Sequence, residues 1–362
     1  MSSVLNFNAG PAPLPPSVLR EAQGELLDYH GQGMSILEMS HRVPEYEAIN
    51  ARAEANFKRL LGVGDGYRVV FMQGGASGQF ATVPMNFLKA GTTAEFLVTG
   101  TWGEKAVEDA ELIGQAHVAA STKAEGYRRV PTADEITLGD GPSAYVHLTS
   151  NETIQGVQYR LFPDVGDAPL VADMSSDILS RPIDASKFSL IYAGAQKNLG
   201  PAGVTVVLIR ESWLETANKK LPAMLRYSTH VKHHSLYNTP PTFSVYLLDL
   251  FLTWIETEGG LGEISKRNDR KAAILYDAID RSGGFYRGHA EAGSRSKMNA
   301  TFNLPSAELE KKFVAEAKAE GMVGLAGHRS VGGARASLYN AIGVDACQVL
   351  ADFMGHFAAK NG

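Results

Sequence analysis

The segment Ala193-Gly194-Ala195-Gln196-Lys197-Asn198-Leu199-Gly200-Pro201-Ala202-Gly203 sets one lysine among small residues, between the apolar runs Phe188 to Tyr192 and Val204 to Ile209. It reads as a turn between two buried strands. Desolvation there disfavours the ammonium form, lowers the pKa and frees the amine as a nucleophile, which Schiff-base chemistry on a carbonyl requires. A surface turn with a solvated lysine accounts for the segment equally well when it is read in isolation. The ends of the other strands decide between the two.

Tyr67 to Met72 reads as a strand, followed by Gly74-Gly75-Ala76-Ser77-Gly78 and an apolar helix pattern from Gln79 to Leu88. A strand feeding a glycine-rich turn into a helix presents free backbone N–H groups at the positive end of a dipole, which is a seat for phosphate. The spacing is not that of a dinucleotide or triphosphate loop, and Ser77 lacks the glycine flanks of a nucleophile elbow. Tight packing is the competing explanation. The strand Ala94 to Thr99 ends at Gly100-Thr101-Trp102-Gly103, which puts Trp102 where an aromatic can stack on a flat ring. Tyr145 to Thr149 is closed by Ser150-Asn151-Glu152-Thr153, and Leu170-Val171-Ala172 by Asp173. A carboxylate in that position is partly buried and calls for a cationic partner.

A phosphate seat, an aromatic plate, a polar anchor, a carboxylate and a lysine thus meet at one sheet edge, the edge where open α/β sheets bind ligands. Pyridoxal 5'-phosphate needs that set: a lysine for its aldehyde, a carboxylate to keep its pyridine nitrogen protonated, a plate and an anion seat. Cationic side chains stand on other loops and strand starts: His41-Arg42 beside Pro44, and His328-Arg329 with Arg335 around Gly332-Gly333. Guanidinium forks suit carboxylate and phosphate, although ordinary surface ion pairs are the alternative for each. His230, Lys232, His233 and His234 lie in an irregular stretch and read as a solvated or interfacial basic loop rather than a metal site, since no carboxylate or cysteine accompanies them.

The elements that must position these groups are α/β. Residues 6–16 carry four prolines and read as an arm lying across the body. Ser17 reads as the cap of a helix to about Tyr29, and a second helix runs to Leu61. A long apolar helix spans Thr242 to Thr257. Glycines 259, 260 and 262 mark the passage to a smaller unit with a helix to about Ser282, a strand Met298 to Leu304, a helix Ala307 to Ala319, a strand Arg335 to Tyr339 and a last helix. The expected division is an arm (1–16), a large cofactor-binding domain (17–258) and a small C-terminal α/β domain (259–362). The 362 residues carry a net charge of −5, so no overall basic field attracts nucleic acid or an anionic membrane. No run is long enough to span a bilayer, and the start MSSVLNFNAG is unlike a signal peptide, so a cytoplasmic protein is expected. The single cysteine, Cys347, excludes a disulfide framework and falls in a helical pattern as packing.

Asn-x-Gly-Pro-Ala near the start, Ser40-His41-Arg42, Gly74-Gly75 with Gly78-Gln79-Phe80, Asn151-Glu152-Thr153, Tyr192 to Asn198, Asn238-Thr239-Pro240-Pro241-Thr242, and Gly327-His328-Arg329 with Arg335-Ala336-Ser337 occur in order over nearly the whole length. In these motifs the chain resembles the phosphoserine aminotransferase family. The resemblance implies fold type I of the pyridoxal-phosphate enzymes, a large domain with a mostly parallel seven-stranded sheet, and a homodimer with active sites at the subunit interface. It implies transamination between phosphoserine with 2-oxoglutarate and 3-phosphohydroxypyruvate with glutamate, and in many bacterial members a related four-carbon step toward vitamin B6. It implies that Lys197 holds the cofactor aldehyde, Asp173 the pyridine nitrogen and Trp102 the ring face. Thr153 and Gln196 would contact the ring hydroxyl region, Ala76 and Ser77 the phosphate, and Asn238 and Thr239 the phosphate from the other subunit. Arg335 would take the α-carboxylate, and His41, Arg42, His328 and Arg329 the phosphate or distal carboxylate. Some members have arginine where this chain has Ser77, and serine where it has Ala9.

Other fold type I enzymes, an alanine–glyoxylate transaminase or a cysteine desulfurase, would share the lysine and the carboxylate. The desulfurase is disfavoured by a lone, helical cysteine. A non-enzymatic pyridoxal-phosphate binding protein would not need the substrate cations.

Overall fold

Strands of Val, Ile, Leu and aromatic residues with both faces covered account for most of the large sheet. The computed structural model describes residues 4–362. Its seven strands are β1 (Tyr67–Met72), β2 (Thr93–Val98), β3 (Gln115–Ser121), β4 (Ser143–Thr149), β5 (Leu170–Asp173), β6 (Leu190–Gly194) and β7 (Thr205–Arg210). They lie in the order β1-β7-β6-β5-β4-β2-β3. Only β7 runs antiparallel, to both β1 and β6, and the other pairs are parallel. Near-continuous apolar runs are what a sheet buried on both faces requires. β3, by contrast, is an edge strand with mostly exposed side chains, and its sequence QAHVAAS carries no hydrophobic signature. That is why no strand is legible there.

Successive residues of each strand supply two apolar layers. One contains Val69, Phe71, Val146, Leu148, Ile191 and Leu208 with helices α1 (Pro16–Glu25), α2 (Pro44–Leu60) and α5 (Thr242–Thr257). The other contains Val70, Phe96, Tyr145, Val171, Tyr192 and Val207 with α3 (Gly75–Phe87) and α4 (Thr101–Glu111). Helix α1 starts one residue before Ser17. Pro16 occupies its first turn after Pro15, and no side chain caps it, because proline's fixed φ and missing N–H already suit that position.

A third apolar cluster forms around Phe313 in the C-terminal part. It draws on α6 (Gly260–Asp280), α7 (Ala307–Ala319), α8 (Val344–Asn361) and the three-stranded sheet of β8 (Arg287–Gly288), β9 (Asn299–Asn303) and β10 (Ala334–Ser337). Helix α6 serves two clusters, since Leu261 and Ile264 pack with the first layer and Leu275 and Ile279 with the third. The arm is anchored here too. Leu5–Asn6 pairs in parallel with Met322–Val323, and Phe7 enters the third cluster. Cys347 is buried in the same cluster. The stretch 213–238 holds more helix than its sequence suggests, with Tyr227–Lys232 as a short one.

Phe313 is completely buried and meets Tyr286, Phe302, Phe353 and Phe357. Phe313→Ala is therefore expected to cost ~3–5 kcal/mol in the unfolding transition of the C-terminal part, read by urea denaturation. A change below about 1 kcal/mol would show that this cluster does not stabilise it.

Candidate active site

The parallel strands β4, β5 and β6 end at Thr149, Asp173 and Gly194, and β7 begins beside Gly194 at Thr205. Cross-strand partners share a face, so Thr149, Asp173 and Thr205 all point toward α3 and α4. Lys197 follows β6 in a single turn. Its ends are tied by Ala195 N–H to the Val204 carbonyl and by Leu199 N–H to the Ala195 carbonyl. The Asn198 amide donates to the Ile178 carbonyl and accepts from Asn340 N–H. The turn is thereby fixed to both the large sheet and the C-terminal part.

Lys197 Nζ donates to Thr153 Oγ1 at 2.7 Å and lies 5.0 Å from the centroid of the Trp102 ring. Burial lowers the amine's pKa below its ordinary value. The Asp173 and Glu152 carboxylates pull it back up, and Arg335 pushes it down. Asp173 is buried, which raises its pKa, while the charge on Lys197 and hydrogen bonding to Ser175 lower it, with Ser175 N–H donating at 2.8 Å. Among the described residues no cation forms a contact ion pair with Asp173. The direct partner expected from the sequence is therefore not supplied by a side chain, and Lys197 compensates the carboxylate only at longer range.

The glycine turn starts its helix four residues earlier than the sequence pattern suggests. Gly74 has φ 100° and Gly75 φ 65°, and α3 begins at Gly75, so Ala76 and Ser77 sit in its first turn with N–H groups that lack an intrahelical acceptor. A Cβ at Gly194 would come within 3.4 Å of Ala76 N and 2.9 Å of Gln196 Oε1. The start of α3, Gln196 and the base of the lysine turn are thus immediate neighbours.

From the C-terminal part, Arg335 on β10 reaches the Thr153 carbonyl with Nη1 at 3.4 Å, and its Nε is buried without a partner. Burial lowers the His328 pKa and the nearby Arg335 and Arg329 guanidinium groups lower it further, so an imidazole stands beside two cations there. His41 and Arg42 stand elsewhere. They line a cavity of about 750 Å³ with Glu47, Asn50, Lys232, His233 and Tyr237, and none of the residues around Lys197 lines it. Asn238 lines another cavity, of about 290 Å³, with Gln73, Gly74 and His230, and Thr239 is exposed. Within one chain the predicted residues therefore form separate groups. His230 is buried, with Nε2 2.9 Å from the Met224 carbonyl, while His233 and His234 are exposed; it does not belong to a solvated loop.

Several residues around the lysine were not singled out from the sequence as site residues. Glu152, fully buried, accepts from Trp102 N–H and Gly103 N–H. Asp177 is also buried, held by Ser150 Oγ and by Gln158 Nε2 at 3.0 Å. The arm crosses the lysine turn, with Ala12 N–H on the Gln196 carbonyl at 2.8 Å, and a Cβ at Gly10 would lie 3.3 Å from Lys197 Cγ. Polar residues at a strand end are a signal for Glu152. Nothing local signals the arm's contact with Lys197.

The family model described as aminotransferase class V matches residues 4–349. The chain is 61% identical to phosphoserine aminotransferase of Herpetosiphon aurantiacus over 99% of this chain and 100% of that protein, and 52% identical to that of Bacillus subtilis over the full length of both. The solved phosphoserine aminotransferase from Bacillus circulans subsp. alkalophilus superposes with a TM-score of 0.98 at 56% identity, covering 100% of each chain. The alanine–glyoxylate aminotransferase of Nostoc sp. covers 99% of this chain and 95% of its own, with a TM-score of 0.74 at 18% identity, a likeness of fold only. Full-length identity of this size, on a fold whose strand ends gather a half-buried lysine, a buried carboxylate and a tryptophan, places the chain in the phosphoserine aminotransferase family of class-V aminotransferases, which are pyridoxal-phosphate-dependent transaminases.

Proposed function

We propose that the protein transfers an amino group between phosphoserine and 2-oxoglutarate by a ping-pong route, yielding 3-phosphohydroxypyruvate and glutamate, as serine biosynthesis requires, and that it accepts the four-carbon phosphorylated homologue of the vitamin B6 route. The observation that carries this reading is the position of Lys197 Nζ, on the Thr153 hydroxyl and under the Trp102 ring, with Arg335 on the other side of the same threonine.

The donor set fits pyridoxal phosphate. Trp102 Nε1, Thr149 Oγ1, Thr205 Oγ1 and Arg335 Nε are buried polar atoms without a partner among the described residues, and Asp173 is a buried carboxylate without a contact cation. In our assignment Lys197 holds the aldehyde, Asp173 the ring nitrogen, Trp102 the ring face, Thr153 and Gln196 the ring hydroxyl side, and Ala76 and Ser77 the phosphate. With serine at position 77, the α3 N–H groups, the hydroxyl and the helix dipole carry that anion without a local cation. When bound, the cofactor acts as an electron sink for the substrate α-carbon.

With the cofactor bound, Lys197 would serve as the base and acid that moves the α-proton, and burial, which lowers its pKa below the ordinary lysine value, favours the free amine. Thr153 holds that amine on one side of the site. Asp173 favours a protonated ring nitrogen, since a carboxylate this buried gains most from a cation in contact. Arg335 takes the α-carboxylate as a bidentate fork, and His328 and Arg329 take the distal anion. Two further side chains come across a homodimer interface in this reading: His41 and Arg42 of one protomer complete the other's site, as Asn238 and Thr239 do for the phosphate. Their separation from Lys197 within one chain supports it, as do the exposed side chains of Leu19, Leu27, Met34 and Leu37 on the segments leading to His41. We retain the arm at 1–16, the large domain at 17–258 and the small domain at 259–362, and a cytoplasmic location. No described helix is long and apolar enough to cross a membrane.

Lys197→Ala is expected to remain folded and bind the cofactor while kcat falls by at least ~10³-fold. In the wild type, phosphoserine and glutamate should bleach the cofactor's visible band and alanine should not; bleaching by alanine alone would refute the substrate assignment. Mixed dimers of Lys197→Ala with Arg42→Ala protomers test the shared site. Each parent is inactive, and the mixed dimer should regain about half of wild-type activity at its one intact site. No recovery would place Arg42 in its own chain's site. The rate of cofactor uptake by the apoprotein should rise with pH as Lys197 loses its proton. Because burial depresses this amine, the midpoint should lie below 10.5. Asp173→Asn removes a charge that raises the pKa, so it should move the midpoint lower still. A wild-type midpoint at the ordinary lysine value would contradict the proposed environment.

A further inference from the structure

Glu152 is fully buried directly before Thr153, and the chemistry above gives it no part. Each of its carboxylate oxygens takes a backbone N–H at the start of α4: Oε1 accepts from Gly103 at 2.8 Å and Oε2 from Trp102 at 3.1 Å. The seat is close. A Cβ at Gly100 would stand 2.5 Å from Glu152 Cδ and 2.6 Å from Gln155 Oε1, while its φ of 170° is extended backbone open to any residue, so the Glu152 carboxyl group and the Gln155 amide together exclude a side chain there. Gln155 Nε2 donates to Thr101 Oγ1 at 2.9 Å, so all three residues that open α4 are held from the turn 151–156.

A carboxylate at a helix N-terminus is stabilised by the dipole and by charge-assisted hydrogen bonds. Here burial pushes the carboxyl up to about 7, the Gly103 and Trp102 N–H groups pull it down, Asp173 adds repulsion and Lys197 opposes it. An uncharged acceptor would cap α4 without that desolvation penalty, so helix capping by itself does not account for a glutamate. What this carboxylate controls is the direction in which residue 102 leaves the helix start, and that residue is the one whose ring covers Lys197.

We infer that Glu152 is a positioning residue for the cofactor ring, holding the Trp102 indole over Lys197. This rests on the reading of Trp102 as the ring plate. Glu152→Gln keeps the shape but sets an NH₂ group against one of the two N–H donors. The dissociation constant for pyridoxal phosphate should rise about tenfold, the visible circular dichroism of the bound cofactor should weaken, and kcat should fall more than KM rises. Gly100→Ala, which displaces the same carboxyl group, should reproduce these changes. In a Trp102→Ala background, adding Glu152→Gln should weaken cofactor binding no further. A lower melting temperature with unchanged cofactor affinity and dichroism would overturn the inference, as would additive losses in the double variant, or misfolding of both Glu152→Gln and Gly100→Ala. A Trp102→Ala protein that binds cofactor normally would sink the ring-plate reading and this inference with it. Loss in that variant beside a normal Glu152→Gln sinks the inference only.

Discussion

The structure depends on a charge balance in a desolvated place. Lys197 sits where burial opposes its ammonium form, and Asp173 and Glu152 sit where burial opposes their carboxylates. None of the three forms a contact ion pair with another, yet Lys197 opposes the rise of both carboxylates, both carboxylates oppose the fall of Lys197, and Asp173 adds to the rise of Glu152. At such separations inside a protein, charges interact strongly enough to shift pKa values without neutralising one another. The lysine is left with a lowered pKa and the aspartate without a cation in contact. Those are the two conditions that a ring carrying an aldehyde and a basic nitrogen satisfies.

Holding this balance requires rigid surroundings, and the turn 151–156 supplies much of them. Asn151 donates to Ser176 Oγ and Asn299 Oδ1, both at 2.8 Å, and accepts from Ser296. Thr301 Oγ1 donates to the Ile154 carbonyl, and a Cβ at Gly156 would lie 2.6 Å from the Asn299 carbonyl oxygen. One short turn thus joins the end of β4, the start of α4, Lys197 and the C-terminal sheet. Arg335 reaches the same turn, so a substrate carboxylate bound there would be registered against the lysine through a chain of buried polar contacts. A second joint, Asn198–Asn340–Asn268, ties the lysine turn to α6 and the segment after β10. Buried amides of this kind find these partners in one arrangement and lose them in most others, which makes them specific.

Where the sequence falls short, the reasons are local. The edge strand β3 is mostly exposed and its side chains are small or polar, so period and hydrophobicity are both silent. His230 looks like part of a basic surface loop because three of its neighbours are basic, yet it faces inward to the Met224 carbonyl. Serine is the usual cap and points to Ser17, whereas Pro15 and Pro16 preset the backbone so that α1 starts at Pro16.

What the sequence by itself determined is the set of groups and the ends of the strands that carry them. Apolar runs followed by glycine, tryptophan, threonine, aspartate and lysine put the chemistry at one edge of an α/β sheet, because side-chain period and turn residues are local properties. Only the tertiary structure decided which groups touch. That Glu152 seats the start of α4, that Gly10 lies on the Lys197 stem, and that His41 and Arg42 stand apart from Arg335 in one chain all depend on contacts between segments up to 330 residues apart, as in the Tyr339 hydroxyl on the Ala9 carbonyl. Such pairings are set by the packing of whole layers, and no spacing along the chain encodes them.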